Sequence, residues 1–472
     1  MSEERAVSRR EFLKLAGVAG AALGVAGGLG GLLAACGGTG TTTTTGAPAT
    51  TATTAGAAST DTTAGANTTV SAAAESGADL KIGLVEPKTG NLAAFALADD
   101  WYVAWAEAAL ADGIVCGDGK KHMVKFVRVD SQSDSNRASQ VAGDLMLNSG
   151  VYMVLASGSP DTVVPVADQC ETNEAIGLFN FSPWQAVFGT KVERKWSWGA
   201  MLGSEQSIAD FSVAFDAIPN NKKVGMLFAN DADAAAWMSD TAAPAVFKQK
   251  GYTLVVPTYY TEGTEDFTAQ ISTYKREGVD IICGTNNPPD WVNFVNQALQ
   301  QGLKPKIMSS GKALLFPQVP EGLASGCYNF IGEMSWSPAW PFKDSLTGKT
   351  CQEMGADFEA KANMQWQQTI GQYGKIEWAV DLFKRAKNPE DKNSVLEVIP
   401  QTKLDTINGL VDFTQPVDVN GVHNVTNNVK PVYAAGQWVK GTGKWKFDYV
   451  EISNAAAPGT EVAATALPMV YL

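Results

Sequence analysis

From residue 80 onward, short runs rich in apolar and β-branched residues alternate with longer amphipathic segments. The first predicted strands are 80–86, 123–130, 151–156 and 176–181. The helices predicted between them are 93–111, 134–148 and 161–173. Short apolar strands joined by helices are typical of a parallel sheet that is buried on both faces. The pattern therefore predicts an α/β fold built on a doubly wound parallel sheet.

The same alternation begins again after residue 221, which predicts a second lobe of the same kind. Its predicted strands are 222–229, 252–257, 279–284 and 306–309. Its predicted helices are 232–250, 266–276 and 291–301. A chain of 472 residues is long enough for two such lobes.

The remaining C-terminal part does not simply extend the second lobe. The sequence there predicts an extended segment at 327–336 and helices at 352–362 and 369–387. Three further strands are predicted at 409–414, 431–439 and 444–450. Residues 441–443 read Gly-Thr-Gly and predict a hairpin turn between the last two strands. We therefore expect the chain to revisit both lobes.

The first 79 residues have a different character. The segment SRREFLK begins at Ser8, an apolar stretch covers 15–35, and Cys36 follows. This resembles a twin-arginine export signal that ends in a lipoprotein cleavage site, so we expect 1–35 to be removed and Cys36 to carry the lipid. A permanent transmembrane helix is the weaker alternative, because the stretch is rich in Gly and Ala. Residues 36–79 are rich in Thr, Ala and Gly, which predicts a disordered tether.

The charge balance and residue usage exclude several functions. Asp and Glu outnumber Lys and Arg by 49 to 36, for a net charge of −13, so we expect no nucleic-acid partner. The only histidines are His122 and His423, which we expect at the surface. Since no hydrolase, metalloprotease or phosphate-binding motif occurs, we predict no enzyme activity, no cofactor and no metal site.

Three motifs together resemble one known family. They are KIGLVEPKTGNLAAF from Lys81, ASGSP at 156–160, and DFTAQI at 266–271 before Gly278-Val279-Asp280. Their order, together with the leader, is similar to the leucine/isoleucine/valine-binding family, the solute-binding lipoproteins of branched-chain amino-acid and amide ABC importers. The resemblance covers about 80–452.

The resemblance implies a type I periplasmic-binding fold whose two lobes are joined by three crossovers. We place the crossovers near 198–203, 326–335 and 401–407. The N-terminal lobe would then comprise 80–200 plus 330–403, and the C-terminal lobe 203–326 plus 407–455. Residues 456–472 would form a tail.

Ligands of open parallel sheets bind at the carboxyl ends of the strands. In the first lobe this rule favours Ser157, Gly158 and Ser159, where the family binds a ligand carboxylate; the alternative is an ordinary Ser helix cap. Phe95 either contacts the ligand or lies in the core. Ser182 and Trp184 end the fourth strand of this lobe, and Trp184 is predicted to stack on the ligand.

The candidates in the second lobe are Asn286, Asn287, Trp237 and Lys312. Relatives have an acidic residue after the strand at 305–309, where it pairs with the ligand ammonium, but this chain reads SSGKA there. The resemblance leaves two possibilities. Either Glu86 or Asp290 takes that role, or the ligand is not an α-amino acid. Lys312 favours an anionic or amide ligand.

An exported protein can form disulfides. We predict that Cys283, inside an apolar strand, is a buried free thiol. The bond Cys327–Cys351 is the first predicted disulfide, and Cys116–Cys170 is the second.

The predicted function is capture of an amino-acid-like, amide or carboxylate ligand by hinge closure. The expected partners are an ABC permease and its ATPase subunits, and the expected state is a monomer anchored by lipid on the outer face of the membrane. A sensing receptor that is not coupled to transport is the alternative, followed by a lipoprotein hydrolase.

Overall fold

The computed structural model describes residues 74–472, except 191, 324–325, 416 and 420–421. The predicted leader, Cys36 and nearly all of the predicted tether lie outside the described residues. The last tether residues belong to the fold, because Ser76 forms a β-bridge with Lys121. Among the described residues, no helix combines the length and apolar character needed to cross a membrane.

The described strands follow the predicted alternation closely through residue 310. In chain order they are β1 Leu80–Glu86, β2 Ile114–Val115, β3 Lys121–His122, β4 Val124–Asp130, β5 Met153–Ser157, β6 Ile176–Asn180, β7 Ser197–Ala200, β8 Lys223–Phe228, β9 Thr253–Val255, β10 Ile281–Thr285, β11 Ile307–Ser310, β12 Phe330–Met334, β13 Lys403–Thr406, β14 Gly409–Asp412, β15 Val417–Val419, β16 Val422–Val425, β17 Asn428–Val429, β18 Tyr433–Lys440 and β19 Phe447–Ala456.

The described helices fill the gaps between the strands. They are α1 Asp99–Ala109, α2 Ser135–Asn148, α3 Pro160–Thr172, α4 Trp184–Val187, α5 Ser204–Asp216, α6 Ala232–Trp237, α7 Ala243–Gln249, α8 Thr268–Glu277, α9 Pro288–Gln300, α10 Gln318–Gly322, α11 Cys351–Ala362, α12 Gly374–Arg385 and α13 Lys392–Val398. Short 3₁₀ turns occur at Ala93–Ala96, Lys312–Leu315, Gln368–Tyr373 and Ile399–Gln401. Local signals set several ends: the Asp134 side chain caps α2 by accepting from the N–H of Arg137, as an N-cap residue should.

Two sheets carry the two lobes. The first has the strand order β17-β7-β6-β5-β1-β4 and every pair in it is parallel. The second has the order β19-β18-β12-β11-β10-β8-β9. Its pairs are parallel, except that β18 runs antiparallel to both β12 and β19. The central strands β5, β6, β10 and β11 are buried along their whole length, because helices cover both faces.

The first connection between the sheets, at 201–203, lies where the sequence predicts it. The second begins only at the end of the predicted range 326–335, and the third lies elsewhere. Strand β12, assigned by prediction to the N-terminal lobe, pairs with β11 and β18 of the second sheet, so the chain leaves that sheet only after Met334. Strand β17 pairs with β7 of the first sheet, so the return to the second sheet is at 430–432 and not at 401–407.

The third connection lies later than predicted because the chain first adds several short strands to the first lobe. Segment 403–429 forms two small hairpins, β13-β14 and β15-β16, before the two-residue strand β17 closes the edge of the first sheet. The predicted C-terminal tail is also tied to the second lobe. Val470 pairs with Tyr328, and the N–H of Met469 donates to the carbonyl of Lys306 at 2.8 Å.

All five described cysteines are buried and free. The predicted bonds Cys327–Cys351 and Cys116–Cys170 are therefore wrong for this structure. Cys327 lies in the loop before β12 of the second lobe, whereas Cys351 begins α11 on the first lobe. Cys116 lies in the turn between β2 and β3, and Cys170 lies near the end of α3. The prediction that Cys283 is a buried free thiol is confirmed.

His122 is not at the surface, contrary to the sequence-based expectation. It is fully buried, with Nδ1 at 2.7 Å from the carbonyl oxygen of Ala78 and Nε2 at 3.0 Å from Oδ2 of Asp118. It fastens the start of β1 to the β2-β3 hairpin, so its role is structural. The side chain of His423 lies outside the described residues.

The core of the second lobe should depend strongly on Trp438. Its ring stacks on Tyr449 with a centroid distance of 4.3 Å, and its Nε1 donates to the carbonyl of Leu314 at 2.8 Å. Trp438→Ala is expected to lower the free energy of unfolding by about 3–5 kcal/mol, as for other buried aromatic truncations. Chemical denaturation measures this. The half-buried Trp445→Ala is the control, and an equal loss in both variants would contradict the packing described.

Candidate ligand-binding cleft

A small cavity lies between the carboxyl ends of the two sheets. Its volume is about 30 Å³, which is room for about two water molecules. The lobes are closed over it, because the Ser159 hydroxyl of the first lobe lies 3.4 Å from Oδ2 of Asp233 in the second. Residues of both lobes and of the connections line it: Phe95, Gly158, Ser159, Phe181, Pro183, Leu202, Asp233, Trp237, Thr285, Lys312, Leu315, Glu333, Ser335 and Tyr433.

The first-lobe wall is formed around the turn between β5 and α3. Gly158 has a φ of 110°, a conformation that favours glycine, and it places the turn against the ring of Phe95. Ser159 is the N-cap of α3 and its side chain accepts from the N–H of Asp161, so the ordinary helix-cap reading holds. Its hydroxyl also reaches Oδ2 of Asp233 across the cleft, at 3.4 Å.

Ser157 lies behind this wall and does not line the cavity. Its hydroxyl donates to Oε1 of Gln372 at 2.8 Å and accepts from Nζ of Lys375 at 2.6 Å. Gln372 in turn donates to the carbonyl of Phe95 at 3.2 Å. Burial lowers the pKa of Lys375 to about 8, although Asp99 opposes this. The network holds Phe95 in the wall.

Lys312 reaches the cavity from the second lobe but is already paired. Its Nζ lies 2.6 Å from Oδ2 of Asp233 and 3.7 Å from Oδ2 of Asp231. Burial alone would lower the pKa of Lys312, but these carboxylates raise it well above its usual value. Burial raises the pKa of Asp233 to about 6, against the influence of Lys312. The lysine is therefore a charged partner of two aspartates.

No acidic residue follows β11, yet a carboxylate occupies that place. Glu333 on the adjacent strand β12 lies so close to Gly311 that a Cβ at position 311 would be 2.7 Å from its Oε1. Burial raises the pKa of Glu333 to about 7. Glu86 and Asp290 do not line the cavity. Glu86 accepts from Nε of Arg128 at 2.9 Å.

Four other predicted site residues lie outside the cavity lining. Trp184 is fully buried in the first lobe, with its Nε1 donating to Oε1 of Glu205 at 3.3 Å, so it does not stack on a ligand in this closed arrangement. Ser182 is also buried. Asn286 donates to the carbonyl of Leu227 at 3.0 Å, and Asn287 donates to a carboxylate of the same lobe.

Five of the predicted residues do line the cavity: Phe95, Gly158, Ser159, Trp237 and Lys312. Sequence reasoning missed Asp233, Phe181, Glu333 and Tyr433. Asp233 follows β8 and obeys the same strand-end rule, so the signal was present. Phe181 has a φ of 57°, which no sequence pattern shows, and the other two belong to segments near the misplaced connections.

The match to known proteins fits this geometry. The family model described as Periplasmic binding protein matches residues 79–428. The chain belongs to the periplasmic binding protein family. The predicted family resemblance and the predicted α/β fold of two parallel-sheet lobes are both confirmed.

Several solved structures share this fold. The leucine-binding protein LivK of Thermotoga maritima aligns with a TM-score of 0.64 and 17% identity, over 78% of this chain and 97% of that one. LivJ of Streptococcus pneumoniae, in complex with isoleucine, gives 0.61 and 17%, over 79% and 99%. A solute-binding protein of an ABC transporter from R. palustris, in complex with 4-hydroxybenzoate, gives 0.62 and 16%, over 79% and 96%.

The ion pair between Lys312 and Asp233 should matter to the stability of the fold: removing one of the two charges should destabilise the protein more than removing both. Lys312→Met is expected to lower the free energy of unfolding by roughly 3–5 kcal/mol, because it leaves buried carboxylates without a cation. The loss should grow between pH 5 and pH 8. With Lys312 present the folded-state pKa of Asp233 is about 6, above its usual value, so near pH 5 this carboxyl is largely protonated and depends little on the lysine. At pH 8 the variant must either bury an unpaired carboxylate or keep a proton on it, and both lower its stability.

The matched control is the double variant Lys312→Met/Asp233→Asn. It should regain much of the lost stability and show a weaker pH dependence in denaturant titrations. A double variant as unstable as Lys312→Met at pH 8 would contradict the pairing.

Proposed function

We propose that this family member is the solute-binding protein of an ABC importer and captures a small organic ligand between its lobes. The observation that carries the proposal is the cavity between the carboxyl ends of the two sheets, walled by both lobes and by the connecting segments. Ligands of parallel sheets bind at these ends. The aromatic rings of Phe95, Phe181, Trp237 and Tyr433 in the lining suit a ligand with an apolar or aromatic body.

Capture depends on closure of the hinge formed by the three connections. In this closed arrangement the cavity has no room for an organic ligand. The lobes must therefore separate before a ligand can bind. Closure forms contacts between the lobes: Nδ2 of Asn91 donates to Oε2 of Glu262 at 3.4 Å, and the rings of Phe95 and Phe316 meet edge to face at 5.1 Å. A ligand that touches both lobes has extra affinity for the closed state and shifts the population toward it.

A binding role is favoured over hydrolysis. The Ser157 hydroxyl and Lys375 ammonium are close enough to suggest a nucleophile and its base. The same hydroxyl, however, donates to Gln372 and lies outside the cavity lining. A ligand in the cleft would therefore meet Gly158 and Ser159 first, and we propose no catalytic step.

We further propose that the protein is exported by the twin-arginine route and held at the outer face of the membrane by lipid on Cys36. The sequence of residues 8–36 supports this, and the family is extracytoplasmic. The closed, loaded protein, acting as a monomer, would then deliver its ligand to a permease driven by ATPase subunits.

Trp237 should contribute directly to ligand affinity. A thermal-shift screen of amino acids, amides, aromatic acids and amines on the full chain identifies ligands, and calorimetry measures their affinity. Trp237→Phe is expected to weaken binding by roughly three- to tenfold, the value of one lost aromatic contact. Trp291→Phe, in the core of the same lobe and outside the cavity lining, should leave affinity unchanged. An equal loss of ligand affinity in both variants would contradict the cleft as the binding site.

Lipidation at Cys36 has its own test. In cells grown with labelled palmitate, the wild-type chain should carry the label and sediment with membranes, because two acyl chains anchor a protein stably. Cys36→Ser should abolish both signals, whereas Cys116→Ser should retain them. Membrane association of an unlabelled Cys36→Ser chain would disprove the lipid anchor.

A further inference from the structure

The charges around the cavity are not balanced. Lys312 is the only lysine or arginine among the lining residues, and two aspartates already neutralise it. Charged groups on the elements around the cavity include Asp161 on α3, Asp231 at the N-cap of α6, Asp233 on α6, Glu262 after β9, Asp290 on α9, Lys312 after β11 and Glu333 on β12. Lys375 lies behind the Phe95 wall, where its Nζ contacts the Ser157 hydroxyl at 2.6 Å. Tyr260 and Tyr433 are the neighbouring phenols. On the cavity side of that wall, six carboxyl groups are therefore set against the one ammonium of Lys312.

Glu333 is the group that most needs a partner. Its side chain is buried, with only 6% of the residue exposed, and it lines the cavity. Within the described residues it takes part in no salt bridge, and its polar neighbours are the hydroxyls of Tyr433 and Ser207. A buried carboxylate without a cation is costly, so it either binds a proton or receives a positive ligand.

The two lobes bring negative charge together when they close. One carboxylate oxygen each of Asp161, on the first lobe, and of Asp231 and Asp233, on the second, lie within 4.8 Å of one another. Such groups repel each other, and the single ammonium beside them, that of Lys312, does not balance three carboxylates. A cation between the lobes would therefore favour the closed state, whereas an anion would oppose it.

The remaining lining suits the body of an organic cation. Phe95 and Phe181 come from the first lobe, and Trp237 and Tyr433, the first residue of β18, come from the second. Aromatic faces attract organic ammonium groups through their ring quadrupoles. A carboxylate ligand finds no comparable partner, because the Lys312 ammonium is paired and the Ser159 hydroxyl already donates to Asp161.

We propose that the ligand is an organic amine that carries a net positive charge, with its ammonium group bound by Glu333 and its body held among the aromatic rings. This inference rests on the proposed function of the cleft and names the chemical class of its ligand. It differs from the expectation drawn from the sequence, where Lys312 favours an anionic or amide ligand.

The test compares ligands that differ only in the sign of the charge. The pairs are butylamine and valerate, phenethylamine and 3-phenylpropionate, and tyramine and 3-(4-hydroxyphenyl)propionate, with leucine and 4-hydroxybenzoate added. Calorimetry on the full chain should show at least one amine binding about tenfold or more tighter than its acid partner, the value of one charge-assisted contact. Near pH 6.5 amine binding should release protons into the buffer, because a cation drives the partly protonated carboxyls to ionise.

The matched variant is Glu333→Gln, which preserves shape and removes the charge. It should weaken amine binding about tenfold or more and reduce the proton release, while Glu277→Gln on the exposed face of α8 should change neither. Circular dichroism establishes that both variants are folded. If Glu333→Gln fails to fold, the comparison of amine and acid partners on the wild-type chain decides alone.

The outcomes separate the two proposals. Tighter binding of an acid, of leucine or of 4-hydroxybenzoate than of every amine overturns the charge assignment and leaves the solute-binding function intact. Unchanged amine affinity in folded Glu333→Gln overturns the role of Glu333. If no compound in this series or in the wider screen binds, both the ligand class and the solute-binding function are overturned.

Discussion

Parallel pairing of neighbouring strands is the constraint on which this molecule depends. Because each strand is followed by a helix that returns the chain to the same starting edge, the carboxyl ends of β5, β6, β8, β10 and β11 all open at one side of their sheet. With two such sheets in one chain, these edges can face each other across a cleft. The turns that follow the strands then form much of the wall of the cavity.

Much of the fold was predictable because it depends on local patterns. The run 80–86 predicts β1 to the residue, and Asp134 marks the start of α2. The prediction lost accuracy where structure depends on distant partners. Strand β17 is two residues long and exists only because β7 offers an edge, so no local signal reveals it. The disulfides failed for the same reason, since spacing along the chain does not give distance in space.

The candidate site shows the same division. The strand-end rule finds Gly158, Ser159 and Lys312, but it cannot show which direction a side chain takes. Ser157 and Trp184 satisfy the rule and turn into the interior. Glu333 breaks it, because its carboxylate fills the space beside Gly311 from within a neighbouring strand. The charge of the cleft is therefore a property of the folded arrangement that composition alone does not reveal.

The three connections also fix the order in which the molecule can be completed. Gln372 and Lys375, which hold the Phe95 wall of the first lobe, are made after the strands β8–β12 of the second lobe. Strands β18 and β19, which close the second sheet, are made later still. During synthesis the first lobe therefore cannot complete its fold before most of the second lobe has been made. The two lobes complete their folds together as the last hundred residues emerge, and only then does the chain form a cleft that can bind a ligand.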